Sequence, residues 1–280
     1  MNRLFLMTCF LLATNPVFAQ ETAAVPASEP AQNFQGFNLQ GYGEGGQKTW
    51  DVNGDTANID GSKVNLSNVN ANSYGEQKVN VTAQTGMINQ TTGEMNLNKD
   101  VVITSESGAQ IMTDSLNWDR NKDLVSTKDN VIITDKDLTV TGKGLEAKPG
   151  LKNAKIQEDV AVTVNTNPKV PSASSKVTIT SDGPMLMDQT KSMAVFEDNV
   201  VAIQGDRTLK ADRMEIYFDS EKNTLSEIIC TGDVEVIQGE NQTFAQKAVY
   251  KASEQRLILS GRPKLIMETE GENGFSAFGN

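Results

Sequence analysis

The chain has 280 residues, a formal charge of −11, no histidine and two cysteines, and aromatic residues make up 6% of it. The absence of histidine removes the commonest general base and the commonest zinc ligand, which excludes Cys/His hydrolases and structural zinc sites. No extended basic stretch interrupts the acidic balance, so nucleic acid is not an expected partner.

From the N-terminus, Arg3, an apolar run over 4–12 and the small-residue site Val17-Phe18-Ala19 form the pattern of an export signal over 1–19. The run is shorter than the roughly 20 residues that span a bilayer. The residues leave open whether it is cleaved or retained as an anchor. Cleavage takes Arg3 and Cys9 with it, brings the charge to about −12 and leaves Cys230 as the one cysteine. No internal disulfide is then available, even in an oxidising compartment. Residues 20–47, opening with Ala, Pro, Gln and Glu, read as a flexible spacer.

From Trp50 onward the chain is strand after strand. Val79-Asn80-Val81-Thr82-Ala83 and Val177-Thr178-Ile179-Thr180 alternate apolar with polar, the period of a half-buried strand. One phrase recurs about six times: a strand, a polar turn, a strand, an Asp/Gly/Asn corner, then an apolar strand. The corners are Lys99-Asp100, Asp129-Asn130, Glu158-Asp159, Asp198-Asn199, Gly232-Asp233 and Gly261-Arg262, followed by Val101, Val131, Val160, Val200, Val234 and Pro263. A period of roughly 30 residues marks an array whose units bury their apolar faces against one another. Between the third and fourth corners, residues 166–176 contain Pro168 and Pro171 among small residues and read as a linker. Residues 269–280 read as a loose tail.

Alternation leaves one apolar face. Its candidates in the second half are Leu209, Ala211, Met214, Ile216, Phe218, Val234, Val236, Leu257 and Leu259. In the first half they are Ile103, Leu116, Trp118, Val131 and Ile133. Inward strand faces usually fill one another, so the plain reading is core. The sharper reading is a groove that accepts an apolar ligand, with Trp50 and Trp118 as packing or groove-mouth residues.

Other motifs fall away. Asp51-Val52-Asn53-Gly54-Asp55 opens like a calcium loop, but Thr56 stands where that loop needs glycine and Ser62 where it needs glutamate. Asp233 and Glu235 share a strand face without the aromatic platforms a carbohydrase uses. Cys230, within an apolar strand, reads as a small core residue. Lys and Glu around Lys247 and over 251–254 read as charges that blunt a lateral strand edge. No catalytic residue, metal ligand or cofactor is expected, and no G-x-x-x-x-G-K-[ST] loop is present to use a nucleotide.

Leu209-Lys210-Ala211-Asp212-Arg213-Met214-Glu215-Ile216-Tyr217-Phe218-Asp219, with Thr231-Gly232-Asp233-Val234-Glu235-Val236, resembles the OstA-like repeat of the periplasmic LptA-type proteins of lipopolysaccharide transport. Thr49-Trp50-Asp51-Val52, Ala83-Gln84-Thr85-Gly86 and Leu97-Asn98-Lys99-Asp100-Val101 resemble the related LptC type, and the phrase from Met112 to Asp119 fits either. The LptC type normally keeps a transmembrane anchor, whereas here a cleavable-looking signal stands in its place. The resemblance implies an all-β fold: a repetitive, twisted, partly open β-jellyroll with an internal apolar groove. It implies two such units in tandem, LptC-like over 48–165 and LptA-like over 177–268. It further implies a non-enzymatic periplasmic bridge, associated with the inner-membrane complex, that holds lipopolysaccharide by its lipid A acyl chains. An inner-membrane ABC transporter complex and an outer-membrane translocon would then be partners through edge-strand pairing, with head-to-tail self-association as a further contact. The alternative is a structural or adhesive exported β-solenoid without lipid cargo, which differs by a closed, dry core.

Overall fold

Thr, Val and Ile stiffen the backbone at χ1 and favour extended conformation, while Asp, Asn and Gly at regular intervals supply turns. The computed structural model describes residues 32–75, 78–148, 153–165, 176–219 and 224–267. These form seventeen strands and, among the described residues, no helix. In chain order they are β1 (Gln32–Tyr42), β2 (Lys48–Asp60), β3 (Lys63–Tyr74), β4 (Lys78–Asn89), β5 (Glu94–Ser105) and β6 (Gln110–Asp119). There follow β7 (Leu124–Asp135), β8 (Leu138–Ala147), β9 (Asn153–Asn165), β10 (Lys176–Ser181), β11 (Met185–Asp188) and β12 (Met193–Gln204). The last are β13 (Arg207–Asp219), β14 (Thr224–Gln238), β15 (Asn241–Lys251), β16 (Arg256–Ser260) and β17 (Lys264–Ile266). The expected signal and the tail lie outside the described residues, as does the expected linker apart from Lys176.

Every pairing is antiparallel and joins strands that are consecutive or next but one in the chain, giving one meandering sheet from β1 to β16 and β17. The sheet runs without a break across the expected boundary between units. β9 carries both β10 (Lys176 opposite Asn165 through Ser181 opposite Val160) and β11 (Met185 opposite Ile156 through Asp188 opposite Asn153). β12 then pairs with both short strands on their other side.

A line of corners crosses this sheet. Register shifts fall at Asn98/Val101, Thr127/Asn130, Glu197/Val200 and Thr231/Val234. Left-handed backbone occurs there at Lys99 and Asp100, Asp159, Asp198 and Asn199, Gly232 and Asp233, and Gly261 and Arg262. These are the corners named from the sequence, because Asp, Asn and Gly enter that region at least cost. Asp129-Asn130 differs. It stays out of the left-handed region and bends through the register shift, with Asp129 held by the Ser115 hydroxyl and by a bond from its own N–H to Thr127 Oγ1 at 3.1 Å.

The corners fold the sheet into two leaves whose apolar faces meet. We term the A leaf the side that includes 94–98, 115–119, 193–197 and 213–219, and the B leaf the side that includes 101–105, 110–113, 200–204 and 207–211. Turns at the A-leaf tips are capped alike: Asn89, Asp119 and Asp188 each accept backbone N–H groups from the residues two and three further on. A single core cluster runs from Val52 to Ala248 between the leaves.

One expectation is corrected. Within the stretch 20–47 read as spacer, β1 pairs with β2 over Gln32–Tyr42, and its Phe37 and Leu39 pack on the core. Its Asn, Gln and Gly content masks the alternation of Phe34, Phe37 and Leu39. A second correction concerns Lys247 and Lys251. They lie on β15, which is paired on both sides, so they do not blunt a lateral edge.

Candidate functional site

The space between the leaves is where the candidate residues meet. Ile103, Leu116, Val131, Ala211, Met214, Ile216 and Val234 are buried in it. Trp118, Ile133, Leu209, Val236 and Leu259 are partly buried against the same cluster. Phe218 and Leu257 are 43% and 42% exposed, although their strand positions share the parity of the inward residues Ile216 and Leu259. Leu209 faces Val236 directly across β13 and β14, and Leu116, Trp118 and Ile103 line one apolar cavity.

That cavity has contributions from both leaves, with Leu97, Leu116, Trp118 and Val125 on one side and Ala71, Val79, Val81 and Ile103 on the other. Its volume is about 20 Å³, close to one water-sized probe. In the middle of the array the inner faces therefore fill one another, and the open channel expected from the resemblance is not seen there. Val101, Ile111, Leu145, Ile156 and Met214 are wholly enclosed. The faces part at the two ends of the sheet and, at Phe218, at the tip of β13. Phe34 on β1 and Leu257 and Leu265 on β16 and β17 stand exposed, because no described strand follows to cover them. A larger concavity of about 690 Å³ lies along the A leaf, with Asn96, Asn98, Asn117, Lys128 and the Lys143–Glu158 pair on it together with Leu97 and Leu116.

Two polar features escape the alternation pattern. Asp51 is 5% exposed on the outer face of β2. It accepts hydrogen bonds from Lys48 Nζ (2.6 Å), Asn72 Nδ2 (2.9 Å) and the Tyr74 hydroxyl (2.8 Å). Burial pushes its carboxyl up, and those bonds more than reverse this, leaving it below its ordinary value. The calcium-like start of the segment is thus engaged in a side-chain network, and no cluster suited to a metal occurs among the described residues. The second feature is Arg120, at the A-leaf tip after β6. Its Nε donates to Gly93 O at 2.9 Å, and its guanidinium carbon lies 4.8 Å from the centre of the Trp50 ring on the B leaf. This contact crosses the mouth between the leaves. A lone arginine in a polar turn gives no periodic signal, so only the fold brings it to Trp50.

Cys230 is 1% exposed, and burial pushes its thiol up to about 12. It is a core residue and not a nucleophile, because the thiolate is the reactive form.

Comparison with known families fits this architecture. Residues 4–166 match the model described as lipopolysaccharide-assembly, LptC-related. Residues 178–277 match the model described as LptA/(LptD N-terminal domain) LPS transport protein. A search of curated proteins finds no match. With the first match covering more than half its length, the chain belongs to the LptC-related family of lipopolysaccharide assembly, and an LptA/LptD N-terminal-type transport domain follows in the same polypeptide.

Proposed function

We propose that the protein is a periplasmic bridge that carries lipopolysaccharide from inner to outer membrane by shielding its acyl chains between the two leaves, without catalysing a reaction. The observation that carries this reading is the apolar inner face, unbroken from Val52 to Ala248 and uncovered at both ends of the sheet. An acyl chain left in water costs about 0.8 kcal/mol per CH₂, which a face of Val, Ile, Leu, Met and Phe offsets while sugars and phosphates stay hydrated. Entry requires the filled middle to part, and the two leaves are joined covalently only along their corners. Directed flow is supplied from outside the chain, by an ATP-driven inner-membrane partner. The edges of β1 and of β16 with β17, unpaired among the described residues, suit strand addition by that partner and by an outer-membrane translocon, or by a second copy of the chain.

The filled middle also suits the structural solenoid, and one experiment separates the two. A photoreactive residue placed at Leu257, Phe218 or Ile216 in cells is expected to attach lipopolysaccharide, and one at the outward Lys210 is not. Lipid on none of the inward positions, in folded and exported protein, would overturn the carrier reading and leave the solenoid.

A further inference from the structure

Three side chains at the mouth of the N-terminal half, Arg120, Trp50 and Trp118, pack there with polar groups that the core and the turn leave partly unused. Arg120 is half-buried and has no carboxylate partner among the described residues. Asp119 beside it pairs with Lys122 at 2.8 Å, Glu94 on β5 accepts from the Thr92 hydroxyl at 3.4 Å, and Asp123 in the same turn makes no ion pair with it. The Trp50 ring beneath the guanidinium lies over Gly41 of β1, where an added Cβ would fall 2.1 Å from Nε1. Trp118, two residues before Arg120 on the inward face, has its Nε1 buried with no hydrogen-bond partner among the described residues.

A guanidinium removed from water without a counter-charge is unfavourable, and stacking on Trp50 offsets only part of that. Its Nε–H is used by Gly93, so the N–H groups of both terminal nitrogens remain. Their planar fork matches a tetrahedral oxyanion, and the Trp118 indole N–H, two residues earlier at the end of β6, is a further donor without a partner among the described residues. Trp118 in turn lines the apolar cavity walled by Val79, Val81, Leu97, Ile103 and Leu116. One ligand chemistry satisfies both surfaces: an anionic oxygen cluster joined to hydrocarbon.

We propose that Arg120, with Trp50 and Trp118, forms a site for a phosphate group carried on an acylated lipid, the phosphate held at the mouth and the chains entering between the leaves. This rests on the carrier reading and adds to it a place where the headgroup is recognised.

The chain's two tryptophans are Trp50 and Trp118, so tryptophan emission, excited selectively over the four tyrosines, reports this site alone. The full mature chain is titrated with bisphosphorylated lipid A, with a phosphate-free glycolipid bearing the same acyl chains, and with inorganic phosphate. The phosphorylated lipid is expected to shift the emission and to bind about tenfold or more tighter than the phosphate-free one, the scale of a charge-assisted bond. Arg120→Gln is expected to abolish that preference while leaving the circular dichroism spectrum intact. Equal affinity of the wild-type chain for the two lipids would overturn the site but leave the carrier, and this comparison needs no variant to fold. Retained preference in Arg120→Gln would also overturn it. A response to inorganic phosphate at the same concentration as lipid A would make it a site for free anions and overturn the lipid assignment. Binding of neither lipid would overturn site and carrier together.

Discussion

Asp51 holds together the outer face of the first strands, because Lys48, Asn72 and Tyr74 all converge on it. Its carboxyl lies below the ordinary value of 3.8, so it contributes stability above that pH and loses it as pH falls through the lower folded value. Denaturant midpoints are therefore expected to drop below about pH 4, and less steeply in Asp51→Ala. At neutral pH that variant is expected to cost about 1–3 kcal/mol, since it strands the Asn72 amide and the Tyr74 hydroxyl. Cys230 offers a second measurement. With its thiol near 12 and buried, iodoacetamide at pH 8 is expected to label it only when the strand opens, so the labelling rate follows unfolding. Cys230 was legible as core because Ile228, Ile229 and Cys230 form an apolar run. The network of Asp51 was not, because hydrogen-bond partners on three strands leave no local pattern.

Among the elements, the corners carried the clearest signal in the sequence. Asp, Asn and Gly reveal left-handed backbone directly, and at five of the six named corners the backbone adopts it. Gly232 combines that conformation with a close approach. Its φ is +76°, and an added Cβ would fall 2.1 Å from Asp212 Oδ2. Gly232→Ala is expected to cost about 1–3 kcal/mol in equilibrium unfolding. Asp100→Gly, at φ +51°, is expected to change stability by no more than about 0.5 kcal/mol. β1 was the element that reading missed, since a strand rich in Asn, Gln and Gly has the composition of a spacer and is placed only by pairing with β2. Which inward positions are exposed was equally out of reach. Phe218 and Ile216 have the same parity, and what distinguishes them is the end of β13 with its register shift at Tyr217/Phe218.

As a whole the molecule is a line of neighbours, each strand bound to the one next or next but one in sequence, so stability is expected to behave as a sum over adjacent interfaces. Ending the chain after residue 255 removes β16 and β17 and is expected to leave amide-exchange protection in β2 to β13 unchanged, with losses confined to β14 and β15. It also replaces the edge of β16 and β17 with the newly uncovered edge of β15, so association through that end is expected to change in sedimentation velocity. Protection lost throughout would show a single cooperative unit instead.

The seam at β9 has a kinetic meaning. The LptC-type and LptA-type halves share backbone pairing along the whole of β9, from Asn165 with Lys176 to Asn153 with Asp188. Two separate proteins meeting at such an edge would obey mass action, dissociating on dilution and competing with other partners. Here the junction is intramolecular, at fixed one-to-one stoichiometry and independent of protein abundance. On the lipid route proposed above, cargo crosses this point without an encounter step, and only the two outer ends remain sensitive to how much of each partner the cell makes.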